Sequence, residues 1–152
     1  MISIVMSTYG RPDKLKKAIA SVQVQSYNNW ELIVVHDEQG KDTTGGKISH
    51  YYVDHFGSDT RPKNTGILKA NGEYIAFLDD DNTWRPDHLQ VLLKAIESKP
   101  NIDVVYGDRW LTDRAGVIPS RLGMTSDFLI QILLQRNFID TSDVLVKRQA
   151  LF

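Results

Sequence analysis

Short apolar runs alternate with amphipathic stretches along this chain, which is the pattern of an α/β protein. Residues 2–6, 30–35 and 74–78 are apolar runs, and each is predicted to form a buried parallel strand. Between the first two runs, apolar residues recur at helical spacing from Pro12, which suits a first helical position, to about Val24. The pattern therefore predicts a strand–helix–strand unit, the mark of an α/β sheet.

The rest of the chain continues the alternation. Further strands are predicted at 48–53, 104–106 and 144–146, a turn into another short strand at 113–116, and helices at 63–70, from Pro86 to before Pro100, and at 126–135. Residues 37–46 are polar and rich in glycine and threonine, so they are predicted to form a loop. No linker interrupts residues 1–152, and we predict one domain with a mostly parallel sheet.

Composition and charge exclude several classes of function. Among 152 residues, 18 Lys and Arg oppose 19 Asp and Glu, so the basic excess of a nucleic-acid binder is missing. The absence of cysteine excludes a disulfide scaffold, a cysteine-ligated zinc site and a thiol nucleophile. No apolar run is long enough for a transmembrane helix, and the first residues lack the basic region of a signal peptide. Cytoplasmic residence is therefore expected.

Three consecutive carboxylates, Asp79, Asp80 and Asp81, follow the predicted strand 74–78. They repel one another unless a cation or solvent neutralises them, and ligands of open α/β sheets bind at the carboxyl ends of strands. Carboxylate oxygens suit Mg²⁺ or Mn²⁺, which also binds a substrate phosphate. If the strand alternation continues, Asp79 and Asp81 point to one side and Asp80 to the other. A solvated acidic turn is the alternative interpretation.

Other polar residues follow the first two strands at the same edge of the predicted sheet. Ser7, Thr8 and Tyr9 follow the first strand, and Asp37 follows the second. Tyr9 offers a face on which a base can stack, and Asp37 offers an acceptor for a base N–H or a ribose hydroxyl. Ordinary loop residues are the alternative. Four histidines show no metal-ligand spacing and are expected on the surface or in loops, namely His36, His50, His55 and His88.

The chain resembles a known family in five blocks that follow one another in a fixed order. The blocks are residues 4–11, 20–27, 30–35, 64–67 and 72–82. They resemble the family 2 glycosyltransferases, which have the GT-A fold. The resemblance covers most of residues 2–90. It implies a Rossmann-like α/β/α sandwich with a mostly parallel central sheet. It also implies transfer of a sugar, with inversion, from a nucleoside-diphosphate donor, UDP-linked in many members, to an acceptor hydroxyl.

The resemblance also implies roles for individual residues. The nucleotide would be bound by Ser7, Thr8, Tyr9, Arg11, Asp37, Lys63 (or Arg61) and Asp80. Asp81 would be the ligand of a Mn²⁺ or Mg²⁺ ion, with Asp79 close by. One departure is His36, which stands where the family usually has a second acid beside Asp37.

The part of the protein that binds the acceptor is expected to be incomplete. The chain stops at two apolar residues, Leu151 and Phe152, so we expect a domain truncated on its acceptor side. The catalytic base would then lie beyond Phe152, with Asp140 as a weak candidate inside the chain. The acceptor, a glycan, a lipid-linked glycan or another hydroxyl, stays open. The apolar helix at 126–135 predicts self-association, or attachment at the inner face of a membrane.

Two other functions stay open at this point. A non-catalytic nucleotide-binding module would use the same residues without turnover. An aspartyl-nucleophile phosphatase is the other, because Asp79, Asp81 and Thr83 satisfy a D-x-D-x-T pattern after an apolar strand.

Overall fold

The computed structural model describes residues 1–55, 57, 60–107, 110–113, 116–119 and 139–152, with the backbone only at 110–113 and 116–119. In these ranges the strands are β1 (Ile2–Thr8), β2 (Trp30–His36), β3 (Ile48–Tyr52), β4 (Tyr74–Phe77), β5 (Val104–Tyr106), β6 (Trp110–Asp113), β7 (Gly116–Pro119) and β8 (Val144–Lys147). The helices are α1 (Pro12–Gln23), α2 (Thr60–Lys69) and α3 (His88–Glu97), with short 3₁₀ helices at Thr141–Asp143 and Arg148–Leu151.

The main sheet has the order β3-β2-β1-β4-β8-β5. Strands β3, β2, β1 and β4 are parallel to one another, whereas β8 runs antiparallel to both β4 and β5. In this register Thr8 lies beside His36 and Val5 beside Phe77, so three parallel strands end at one edge. The mostly parallel α/β sheet predicted from the sequence is confirmed.

Helices cover both faces of the sheet and bury two apolar layers. On one face, Val22 of α1 and Leu89 of α3 pack in a layer with Ile4 and Met6 of β1. On the other face, β-branched residues of β1 and β2 form the second layer, which includes Ala70 directly after α2. Gly66 allows α2 to approach β1 closely, because a Cβ at this position would overlap Cγ1 of Val5. The result is the predicted α/β/α sandwich.

Most predicted elements are present with shifted ends. Strand β4 ends at Phe77, and α2 begins at Thr60, ahead of the predicted residue 63. The helix predicted from Pro86 begins at His88, because residues 85–87 form a turn in which the carbonyl of Arg85 accepts the N–H of His88 at 3.1 Å. Strands β6 and β7 form a hairpin around the predicted turn at 113–116.

Two predictions concern the apolar helix at 126–135 and helices that could span a membrane. The helix predicted at 126–135 lies outside the described residues. None of the helices in the described ranges combines the length and the apolar character that crossing a bilayer requires.

Candidate functional site

The carboxyl ends of β1, β2 and β4 meet at one edge of the sheet and carry the polar residues that the sequence singled out. The backbone joins them: the N–H of Asp37 donates to the carbonyl of Thr8 at 2.9 Å, and the N–H of Leu78 donates to that of Val5 at 3.1 Å. A cavity of about 250 Å³ opens beside β1. It is lined by Ser7, Thr8, Tyr9, Arg11, Asp37, His55, Gly57 and Pro62.

Asp80 is the buried member of the acidic triplet, with no solvent exposure. Its Oδ2 accepts a hydrogen bond from the hydroxyl of Thr8 at 2.7 Å, and its Oδ1 lies 2.9 Å from Nη2 of Arg11. A buried carboxylate without partners would be costly, and these two contacts offset that cost. The three carboxylates are therefore not a simple solvated turn.

Asp79 and Asp81 lie at the surface, with 31% and 40% of their side chains exposed. Oδ2 of Asp81 is 3.0 Å from Nη1 of Arg11 and 3.8 Å from the ammonium of Lys14. Oδ1 of Asp79 is 3.0 Å from the ammonium of Lys63. Cationic side chains from α1, α2 and the loop before α1 thus provide the neutralising charge that the triplet requires.

The predicted alternation of the three carboxylates is wrong. Asp81 shares Arg11 with Asp80, whereas Asp79 contacts Lys63 of α2. The reason is that β4 ends before the triplet. Residues 79–82 form a turn closed by the N–H of Asn82, which donates to the carbonyl of Asp79 at 3.0 Å, so the two-residue period of a strand no longer applies.

Ser142, which the sequence did not single out, holds this turn. Its hydroxyl accepts from the backbone N–H of Asp79 at 3.1 Å and from Nδ2 of Asn82 at 2.8 Å. Its carbonyl accepts the indole N–H of Trp84 at 2.6 Å. Trp84 is buried in the core. Asp140 caps the 3₁₀ helix Thr141–Asp143, its Oδ1 accepting the N–H of Ser142 at 3.0 Å.

His55 is a second residue that the sequence did not assign to the site. Its ring stacks on Tyr9, with centroids 4.2 Å apart and planes 9° from parallel. Its Nδ1 lies 2.7 Å from Oδ2 of Asp37. The other oxygen of Asp37 is buried and has no hydrogen-bond partner among the described residues. A lone histidine 46 positions from Tyr9 carries no sequence signal for this contact.

His36 and His88 are not the surface residues that the sequence predicted. His36 is buried, stacks on Tyr52 with centroids 4.4 Å apart, and has Nε2 3.0 Å from Nδ1 of His50. Burial lowers the pKa of His36, and the neighbouring His50 lowers it further. His88 stacks on Trp84, and burial lowers its pKa to about 4. Both rings are therefore neutral at pH 7.

The site supplies only part of the set of ligands that a hard divalent cation requires. Among the described residues, no three His, Asp or Glu side chains converge on one point. Asp79 and Asp81 offer carboxylate oxygens at the surface, which are the donors that Mg²⁺ and Mn²⁺ prefer. Such a cation keeps several waters and binds through one or two carboxylates plus a phosphate, so these two residues fit the protein side of a metal site.

Comparisons with known proteins show which proteins this chain resembles. Residues 3–143 match the family model described as glycosyl transferase family 2. Over 132 residues the chain is 30% identical to the UDP-Glc:alpha-D-GlcNAc-diphosphoundecaprenol beta-1,3-glucosyltransferase WfgD of Escherichia coli. The match covers 78% of this chain and 49% of that protein.

Solved structures show the same fold. TarS 1-349 of S. aureus, in complex with UDP-GlcNAc, matches 99% of this chain and 46% of its own with a TM-score of 0.76 and 18% identity. Mannosyltransferase PcManGT from Pyrobaculum calidifontis, in complex with GDP-Man and Mn²⁺, matches 69% of this chain and 34% of its own with a TM-score of 0.60 and 18% identity. The chain spans about half the length of these relatives, or less. It belongs to glycosyltransferase family 2 and has the GT-A fold that its sequence resemblance implied.

Proposed function

We propose that this chain binds the sugar donor of a glycosyltransferase. The enzyme transfers the sugar, with inversion, from a nucleoside diphosphate to an acceptor hydroxyl, and UDP is the nucleotide that we propose first. The observation that carries the proposal is the meeting of Tyr9, Asp37 and the acidic turn 79–81 at one sheet edge. Support comes from one relative whose name includes UDP-Glc, and from fold neighbours in complex with UDP-GlcNAc or GDP-Man.

The nucleotide half of the site divides into base and ribose contacts. The half-exposed ring of Tyr9 is available for stacking, and the carboxylate of Asp37 is available for a base N–H. Asp80 is fully buried behind Thr8 and Arg11, so a ribose hydroxyl reaches it only if Arg11 leaves Oδ1. Ser7 lines the same cavity and completes the nucleotide-binding set.

The diphosphate half lies at the exposed part of the acidic turn. Asp81, with Asp79, would hold a Mn²⁺ or Mg²⁺ ion, which when bound neutralises the charge of the departing diphosphate. Arg11 and Lys63 contact these carboxylates in the structure. A diphosphate at the same place gives both cationic side chains a second anion to bind, so they would position the phosphates.

The base that deprotonates the acceptor stays predicted beyond residue 152. Asp140 is the weaker candidate, because one of its carboxylate oxygens is engaged in capping the Thr141–Asp143 helix. Self-association and attachment to a membrane also stay predictions, since they depend on residues 126–135. The phosphatase alternative has lost its main support, because membership of the family accounts for the same acidic triplet.

Calorimetric titration with UDP tests the nucleotide and metal roles together. We expect binding in the presence of Mn²⁺ and a collapse of affinity when a chelator removes the metal. Asp81→Asn should weaken Mn²⁺-dependent binding about tenfold, the scale of a lost charged contact. Glu97→Gln is the matched control, because Glu97 is exposed at the end of α3 and interacts with Tyr74 at the start of β4.

Two results would contradict the proposal. Equal affinity for UDP with and without Mn²⁺ would remove the metal role of Asp79 and Asp81. Absence of UDP binding under either condition would remove the nucleotide role of the whole edge. Incubating the chain with a UDP-sugar and measuring release of UDP then tests turnover. Tight UDP binding without release favours the non-catalytic nucleotide-binding module for this stretch.

A further inference from the structure

His55 makes both contacts that the proposed function assigns to a nucleobase. Its imidazole lies on the face of Tyr9, with centroids 4.2 Å apart and planes 9° from parallel. Its Nδ1 is 2.7 Å from Oδ2 of Asp37, the carboxylate that the proposed function assigns to a base N–H. An aromatic ring with a ring nitrogen directed at this carboxylate thus already occupies the subsite.

The three residues line the same cavity, and Asp37 is its fixed member. Asp37 is buried, and its backbone N–H donates to the carbonyl of Thr8, which ties it to the end of β1. Oδ1 of Asp37 is buried and has no hydrogen-bond partner within the described ranges, so a base N–H that enters from the cavity meets Oδ2, the oxygen that His55 holds.

His55 is the replaceable member of the group. Its side chain is 46% exposed, so the ring can exchange its contacts for water at small cost. The side chain of Asp37, only 8% exposed, lacks this freedom. A base placed between the rings of His55 and Tyr9 would have to part them, since centroids 4.2 Å apart are already in direct contact.

We infer that His55 occupies the base subsite when no nucleotide is bound and that a nucleobase must displace it from Tyr9 and Asp37. This rests on the proposed function, which assigns those two residues to the base. A contact that closes the subsite lowers apparent affinity by the fraction of molecules that are open. His55 therefore lowers the affinity for the base half of the nucleotide and leaves the affinity for the diphosphate half unchanged.

Two variants of His55 and two ligands test this inference. His55→Ala removes both contacts, whereas His55→Phe keeps a ring for Tyr9 and loses the nitrogen near Asp37. We expect His55→Ala to bind UDP about threefold to tenfold tighter than the wild type, the range that loss of one stacked aromatic pair allows. His55→Phe should fall between the two. The affinity for inorganic pyrophosphate, measured in the same buffer with Mn²⁺, should stay unchanged.

The control is His50→Ala, because the ring of His50 contacts His36 and not Tyr9. It should bind UDP as the wild type does. If His55→Ala binds UDP equally well or more weakly than the wild type, the inference is overturned. Weaker binding would identify His55 as a wall of the base subsite.

Proton NMR of the His55 ring separates failure of this inference from failure of the proposed function. Stacking on Tyr9 should shift the His55 ring protons upfield, and Tyr9→Leu should abolish that shift. Addition of UDP should move them towards values for free imidazole. UDP binding without this movement overturns displacement and leaves the proposed function intact. If the wild type and both variants fail to bind UDP, the proposed function fails and the inference fails with it.

Discussion

The site is built from two groups of residues that differ in burial. The support is the less exposed group around the acidic turn, comprising the buried residues Thr8, Asp80, Trp84 and Ser142 and the partly buried His88. The rim is the charged and more exposed group around it, comprising Arg11, Lys14 and Asp81 with the partly exposed Lys63 and Asp79. Support residues meet through short hydrogen bonds and ring contacts, whereas rim residues meet only as ion pairs.

The difference in burial assigns the two groups different roles. A buried hydrogen bond is costly to break, because its partner is left without water. An exposed ion pair is screened and contributes little to stability, so its members can exchange partners at small cost. The support should therefore determine the stability of this edge of the sheet. The cationic side chains of the rim should exchange their carboxylate partners for phosphates when a ligand binds. Three measurements test this division.

Acid should weaken the support most. The pKa of His88 is about 4 in the folded chain and about 6.5 when unfolded, so the unfolded chain binds the proton more readily between these values. Stability should fall as pH drops from 6.5 towards 4, by up to about 3 kcal/mol. Urea unfolding at pH 7 and pH 4.5 measures this loss.

The matched variant for this measurement is His88→Phe. It retains a ring to stack on Trp84 and cannot take up a proton. Its stability should depend less on pH than that of the wild type. His36, whose pKa is also lowered, contributes in the same direction and stays in both proteins. An unchanged pH dependence would show that the ring of His88 is reached by water without unfolding.

Asp80→Ala should have the next largest effect. It leaves the buried hydroxyl of Thr8 without its acceptor and removes one partner of Arg11. We expect a loss of about 1–3 kcal/mol in the free energy of unfolding, measured in urea. Asp80→Asn keeps an oxygen for Thr8 and should lose less. Stability equal to the wild type in Asp80→Ala would place Asp80 with the rim.

Asp81→Asn should have the smallest effect on stability, within about 0.5 kcal/mol of the wild type. Its carboxylate is 40% exposed, and its two partners, Arg11 and Lys14, remain solvated without it. The same variant should lose Mn²⁺-dependent UDP binding, so the melting curve and the titration should disagree. A drop in melting temperature would show that the rim also braces the fold.

The sequence predicted the strands that form the edge of the site, but not all of the side chains that meet there. Buried parallel strands are apolar on both faces, so β1, β2 and β4 were readable, and so was the edge where Asp37 and Asp79 lie. Apolar runs carry no information on side-chain partners from distant segments. For this reason Ser142 and His55 were missed. The predicted pairing of Asp79 with Asp81 was wrong because it depends on where β4 ends, which a pattern leaves uncertain by a residue or two.

The position of β8 was equally unreadable. A four-residue strand with three apolar residues fits any free edge or gap in a sheet, and nothing local indicates that it lies between β4 and β5. The class of fold can therefore be predicted from local sequence patterns, whereas the position of the last strand in the sheet depends on long-range contacts.

The insertion of β8 also fixes an order of events during synthesis. As the ribosome extends the chain, β1, β2, β3 and β4 can pair as soon as they emerge, because each needs only earlier or adjacent strands. Strand β5 has to wait for β8, its neighbour in the sheet. Ser142, immediately before β8, arrives with it. The acidic turn is therefore braced only after residue 142 has been made, which is later than the pairing of β1, β2, β3 and β4.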